Sequence, residues 1–157
     1  MASIITGKDQ IFGKWAASRI ERIGTVERFG PFVALGVATG STSTDRLMAV
    51  VIFHDDQPQY GHCQLSFAAA DPRWASRQTI KALLSVPFLQ WRYHKVWVAV
   101  PHTAERTLRL VRAVGFKSEA TLKDHFGVGT HAVIARMSYS HYERVYWRNA
   151  PVKAKAA

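Results

Sequence analysis

The centre of the chain constrains the fold more than any other part. Residues 62–70, His-Cys-Gln-Leu-Ser-Phe-Ala-Ala-Ala, read as a strand that turns at Asp71-Pro72 into a helix. In that helix Ile80, Leu83, Leu84, Pro87, Phe88 and Trp91 make one apolar stripe at the spacing of an amphipathic helix. Pro87 removes a helical hydrogen bond, so a kink or break is expected there. Residues 95–100, Lys-Val-Trp-Val-Ala-Val, form a short apolar run bounded by breakers, the pattern of a buried strand. A strand, a helix and a strand in this succession require a parallel pair joined by a right-handed crossover.

Hairpins are expected on both sides, which makes the sheet mixed. Residues 32–38 and 46–53 read as two strands joined by the loop Gly40-Ser-Thr-Ser-Thr-Asp45, and His54-Asp-Asp-Gln-Pro58 is expected to end the second. Residues 119–126 and 131–139 flank the turn Gly127-Val-Gly-Thr130 as a closing hairpin. Ahead of the strands, residues 8–23 read as a helix with Ile11, Phe12, Trp15, Ile20 and Ile23 roughly on one face. A further helix is expected over 104–114, capped by Thr103, with Glu105 in its first turn and Gly115 as its stop. The resulting order is α-β-β-β-α-β-α-β-β.

With 157 residues, 48% of them hydrophobic, the chain suits one domain with a real core, expected over residues 1–149, with 150–157 as a frayed tail. One cysteine, Cys63, cannot make an internal disulfide, and no Cys/His cluster has zinc spacing. No apolar run approaches the ~20 residues that cross a bilayer. A soluble, cytoplasmic protein is the expectation, and a homodimer is compatible with it. The charge is +10, from 21 Lys+Arg against 11 Asp+Glu. Such an excess draws polyanions: a nucleic acid, a phosphorylated cofactor or an acidic protein surface.

Three segments resemble the GNAT acetyltransferase superfamily: residues 64–84, residues 98–116 ending in Gly115-Phe116, and residues 117–126 continuing through Val133-Ile-Ala-Arg-Met137. The likeness spans residues 30–147. It implies a mixed α/β fold with a mostly antiparallel twisted sheet, a central parallel pair splayed for CoA, and helices on both faces. It also implies acetyl transfer from acetyl-CoA to an amine. More narrowly, the chain is similar to small GNAT-like proteins of phages, including the Mom-like DNA modification proteins, which makes a DNA base an acceptor to consider. The other function class is a nucleic-acid-binding module on a catalytically degenerate scaffold of this kind.

The resemblance carries roles for particular residues. The backbone of Phe67, Ala68 and Ala69 is expected to pair with the pantetheine arm. Arg73, Ser76, Arg77, Gln78 and Thr79 stand where the cofactor pyrophosphate meets a helix N-terminus, a ready anion site. Gln78 and Ile80 occupy positions that the family usually gives to glycine. Val111 occupies the position of the tyrosine that usually protonates the departing thiolate. Catalytic candidates are therefore sought elsewhere: His54, with Asp55, Asp56 or His62 as alternative bases, and Ser66, His102 and Glu105 as proton relays.

Two further groups of residues have ordinary explanations. Arg106, Arg109 and Arg112 with Tyr142, Arg144, Tyr146, Trp147 and Arg148 could make a basic, aromatic surface for bases and phosphates. They equally fit a solvated helix face followed by a C-terminal strand packing its aromatics. Cys63 is expected to be a small buried hydrophobe.

Overall fold

The computed structural model describes residues 2–39 and 46–148. The expected loop 40–45 and the tail 150–157 lie outside the described residues. The chain divides into two compact units, one of residues up to 57 together with 63–83, the other of 58–62 together with residues from 84 on.

The first unit carries strands β1 (Ala2–Ile5), β2 (Phe32–Thr39), β3 (Leu47–Gln57) and β4 (His62–Ala69), side by side in that order. β1 pairs antiparallel with β2, Ile5 facing Gly36, and β2 pairs antiparallel with β3, Gly36 facing Val50. The sequence pattern does not reveal β1: four half-buried residues are too few to show a period. β3 runs four residues past the expected end, so His54, Asp55 and Asp56 lie within the strand and not after it. Asp55 takes φ 47°, a left-handed conformation that aspartate tolerates.

Helix α1 (Asp9–Arg19) packs on this sheet through Phe12, Gly13, Ala16 and Ala17. Ile11, expected on the inner face, is 62% exposed. The inner face is mostly small residues, which a count of large apolar side chains passes over. Their smallness is what the packing needs. A Cβ on Gly36 would stand 2.7 Å from the Phe12 ring, and one on Gly13 would stand 2.4 Å from the Phe32 ring. Each element thus offers a glycine to the other's phenylalanine. Asp9 Oδ1 accepts a hydrogen bond from Ala34 N at 3.0 Å, tying the head of α1 to β2.

The helical segment after β4 starts later than expected. A short 3₁₀ turn, Pro72–Trp74, comes first, then α2 (Arg77–Ser85). The break expected at Pro87 is present as a π-helical turn, Val86–Gln90, in which Trp91 N bonds Val86 O at 3.0 Å.

The second unit carries β5 (Lys95–Pro101), β6 (Lys117–Leu122) and β7 (Ala132–Ser138) in the order β5-β7-β6, both pairings antiparallel. The closing hairpin opens wider than expected, because Asp124 Oδ1 takes Gly129 N at 2.8 Å and closes the loop early. Helix α3 (Glu105–Val114) ends at Gly115, φ 123°, as expected. Its N-cap is Ala104 with no side-chain bond, so Thr103 does not cap it and contributes only its carbonyl, to Glu105 N.

The chain after β7 is helical, not a strand: α4 (Tyr139–Tyr142) runs into a π-helical turn, Glu143–Arg148. Tyr142 and Tyr146 are buried, with Tyr142 stacked on Phe88 at 4.9 Å. These two rings are core, which leaves them no part in an aromatic ligand surface. Among the described residues no helix is long and apolar enough to cross a membrane, and no group of three or more His, Cys, Asp or Glu could hold a metal ion.

Strand propensity alone favours alanine over glycine at position 36 by about 0.5–1 kcal/mol. The fully buried Phe12 ring leaves the new methyl no room. Gly36→Ala is therefore expected to lower the unfolding free energy by about 1–3 kcal/mol, the usual cost of overpacking, in urea titrations followed by circular dichroism.

Candidate functional site

The turn that leaves β4 is held from one point. Ala70 N and Asp71 N both donate to Met48 O of β3, at 2.7 and 3.2 Å. Asp71 then holds Arg73, accepting from its backbone N at 2.9 Å, its Nε at 3.1 Å and its Nη2 at 2.7 Å. The Arg73 hydrogen bonds bring the Asp71 carboxyl down to about 2. Arg73 is thus paired within the turn, and its positive charge is largely matched by Asp71.

Ser76 caps α2. Its Oγ accepts from Thr79 N at 3.2 Å and donates to Thr79 Oγ1 at 2.9 Å. The first amides of a helix have no partner within it and point along its axis. Beside the helix start lies a depression of about 570 Å³ bordered by Arg73, Ser76, Gln78, Thr79 and Ala82 and, from the first three strands, by Ala2, Ile4, Thr39 and Met48. Four of the residues expected to bind the cofactor, Arg73, Ser76, Gln78 and Thr79, therefore border one concavity. Arg77 is exposed on the same helix head but outside that lining.

The two glycine positions differ in consequence. Gln78 is exposed on the rim, whereas Ile80 is 6% exposed and turned into the core, away from any anion. On β4, Ala69 is exposed, Ala68 is buried in the cluster around Phe12, and Phe67 packs half-buried on Trp74 at 5.3 Å.

Two of the catalytic candidates meet. His54 Nε2 and Ser66 Oγ stand 2.8 Å apart, on β3 and β4, with Phe29 tilted over the imidazole at 5.3 Å. Both side chains are buried. Desolvation lowers the His54 pKa to about 4, Asp55 opposes the shift and Arg22 adds to it. The imidazole is neutral at physiological pH and a weak base, so its chemistry there is to hold the Ser66 hydroxyl. Asp55 and Asp56 beside it are exposed. Cys63 is fully buried, and desolvation raises its thiol to about 12, the state of an inert packing residue.

His102 and Glu105 lie in the second unit. Glu105 is exposed at the first position of α3. His102 Nδ1 accepts from His131 N at 2.9 Å, and the two rings stack at 4.8 Å. The same nitrogen lies 3.4 Å from His131 O, but that carbonyl already accepts from His102 N at 2.8 Å, so the shorter contact decides. His131 Nδ1 accepts in turn from Asp124 N at 2.9 Å. With Nδ1 accepting, the neutral His102 ring carries its proton on Nε2 and presents a donor. Reading the sequence alone passes over His131 and Asp124. Their relevance depends on the pairing of Pro101 with Ala132, which no local pattern shows. Val111 is buried on the inner face of α3, so no proton donor replaces the usual tyrosine at its own position.

No protein-family model matches the chain, and no curated protein is similar to it. Solved structures are. A chimera of the spermidine N-acetyltransferase SpeG from Vibrio cholerae with hSSAT superposes with TM-score 0.70 at 13% identity, over 90% of this chain and 98% of that one. A structure of glutamate-to-glutamine mutant forms of the spermidine/spermine N-acetyltransferase SpeG from Vibrio cholerae gives 0.69 at 13% identity, over 92% and 98%. The Vibrio cholerae spermidine N-acetyltransferase in complex with CoA and spermine gives 0.65 at 15% identity, over 90% and 97%. The chain therefore has the mixed, mostly antiparallel α/β fold of the GNAT acetyltransferases. The narrower likeness to phage Mom-like proteins, and with it a DNA-base acceptor, finds no support in these structures, which are of polyamine acetyltransferases.

The buried His54 sets a pH dependence of stability. Its pKa falls on folding from 6.5 to about 4, so between these values the unfolded chain binds more protons and stability is lost as pH falls. The full loss is about 3 kcal/mol. His54→Gln is expected to flatten unfolding free energy against pH across that window, measured by urea titration at several pH values.

Proposed function

We propose that the protein is an acyl-CoA-dependent N-acyltransferase that moves the acetyl group of acetyl-CoA to a primary amine. The observation that carries this reading is the concavity beside the start of α2, where Ser76, Gln78 and Thr79 face Ile4 of β1, Thr39 of β2 and Met48 of β3 within this fold. A helix head suits a pyrophosphate. The missing glycines do not close the site, since Ile80 turns inward and Gln78 can donate from the rim. The +10 charge favours a polyanionic thioester over a neutral one. The pantetheine arm is assigned to the backbone of Phe67–Ala69, with the exposed Ala69 nearest the phosphates.

In the reaction the amine lone pair forms a C–N bond at the thioester carbonyl. The C–S bond breaks with its electron pair on sulfur, nitrogen loses a proton, and the thiolate gains one. Ser66 and His54 order the core beneath β4.

Polyamines are the first acceptors to try, since the solved structures of this fold named above are polyamine acetyltransferases. The test is calorimetry with acetyl-CoA, followed by release of CoA thiol on a panel of spermidine, spermine and simple primary amines. Absence of cofactor binding would overturn the reading, and binding without thiol release on any amine would remove its catalytic part. Gln78→Glu, which sets a carboxylate at the phosphate rim, is expected to raise KM for acetyl-CoA about tenfold, roughly 1.4 kcal/mol, with kcat little changed.

A further inference from the structure

The second unit holds a concentration of positive charge that the acyl-transfer reading does not use. Lys117 opens β6 and Arg136 faces it directly across the β6–β7 ladder. Like charges opposite one another on a sheet destabilise it. Arg144, on the turn after α4, projects to the same place. Between them lies a concavity of about 290 Å³, also lined by Ser118, Glu119, Ser138, Ser140 and His141. That volume is just below the range of about 300–1,000 Å³ typical of ligand sites.

The charges there are only partly compensated. Arg136 Nε meets Glu119 at 3.1 Å. Lys117 has no ion pair among the described residues, and Arg144 donates to His141 Nδ1 at 2.7 Å, a contact with a neutral ring that leaves its charge unmatched. Three cations therefore surround one carboxylate. Burial first, then Lys117 and Arg144, lower the His141 pKa, so the ring lies within reach of both cations. Ser138 Oγ accepts from His141 N at 3.2 Å and lies 3.2 Å from Ser140 Oγ, so Ser140 can turn its hydroxyl outward as a donor.

We propose that this concavity is a second anion site, separate from the head of α2, that receives the dianionic group of a phosphate monoester. Lys117 supplies a point charge, Arg144 and Arg136 supply guanidinium donors suited to paired phosphate oxygens, and Ser140 completes the set. The volume admits the phosphate and a small substituent.

The test is titration of the whole protein with inorganic phosphate and with phosphoserine, followed by amide shifts in nitrogen–proton correlation spectra. Saturable shifts at Lys117, Arg136 and His141–Arg144 are expected, with phosphoserine binding at least as tightly as phosphate. The Lys117→Gln/Arg144→Gln double variant, and Lys117→Gln alone as a milder change, should lose at least tenfold and threefold in affinity, with unaltered urea midpoints showing that they fold. Gln78→Glu should leave phosphate binding unchanged. Equal binding by the double variant, tighter binding of phosphate than of phosphoserine, or displacement of phosphate by dephospho-CoA, which has a pyrophosphate but no phosphate monoester, would each overturn the proposal.

Discussion

The first unit is organised by two phenylalanines and two glycines that exchange places. Phe12 of α1 lies over Gly36 of β2, and Phe32 of β2 lies over Gly13 of α1. This brings the helix backbone close to the sheet and leaves it little freedom to slide. β2 held in this way sets the register of β3. β3 in turn presents the Met48 carbonyl that takes both amides of the turn after β4. The direction in which α2 starts, and hence the concavity at its head, depends on that succession.

Charge is used unevenly over the molecule. At the α2 head the one arginine on the rim is paired with Asp71, and the other polar groups there are the Ser76–Thr79 cap and an uncharged glutamine. Around Lys117 and Arg144 the reverse holds: charge is abundant and the helix there is too short to contribute a dipole. The excess of +10 is therefore a sum over places with different chemistry and not one uniform surface.

Much of the architecture is legible in the sequence because it depends on patterns within single segments. The stripe of α2, the break at Pro87, the stop at Gly115 and the apolar β5 all follow from local spacing. β1 escapes because it is short, and the inner face of α1 because it is made of glycine and alanine. The helical end at Tyr139–Arg148 escapes because its burial is decided by contacts with Phe88, distant in sequence. At the candidate site, Ser76, Gln78 and Thr79 are placed by the resemblance and not by the helix start, which lies later than the local pattern suggests. The meeting of His54 with Ser66, and of His102 with His131, requires strand pairing that no segment shows by itself.

Cys63 is the single cysteine of the chain, and the structure buries it completely on β4. A maleimide or spin-label reagent would meet no accessible sulfhydryl on the folded protein. Any cysteine introduced at a surface position becomes a unique handle, and distances between a probe there and a bound ligand can be measured without first removing the natural residue.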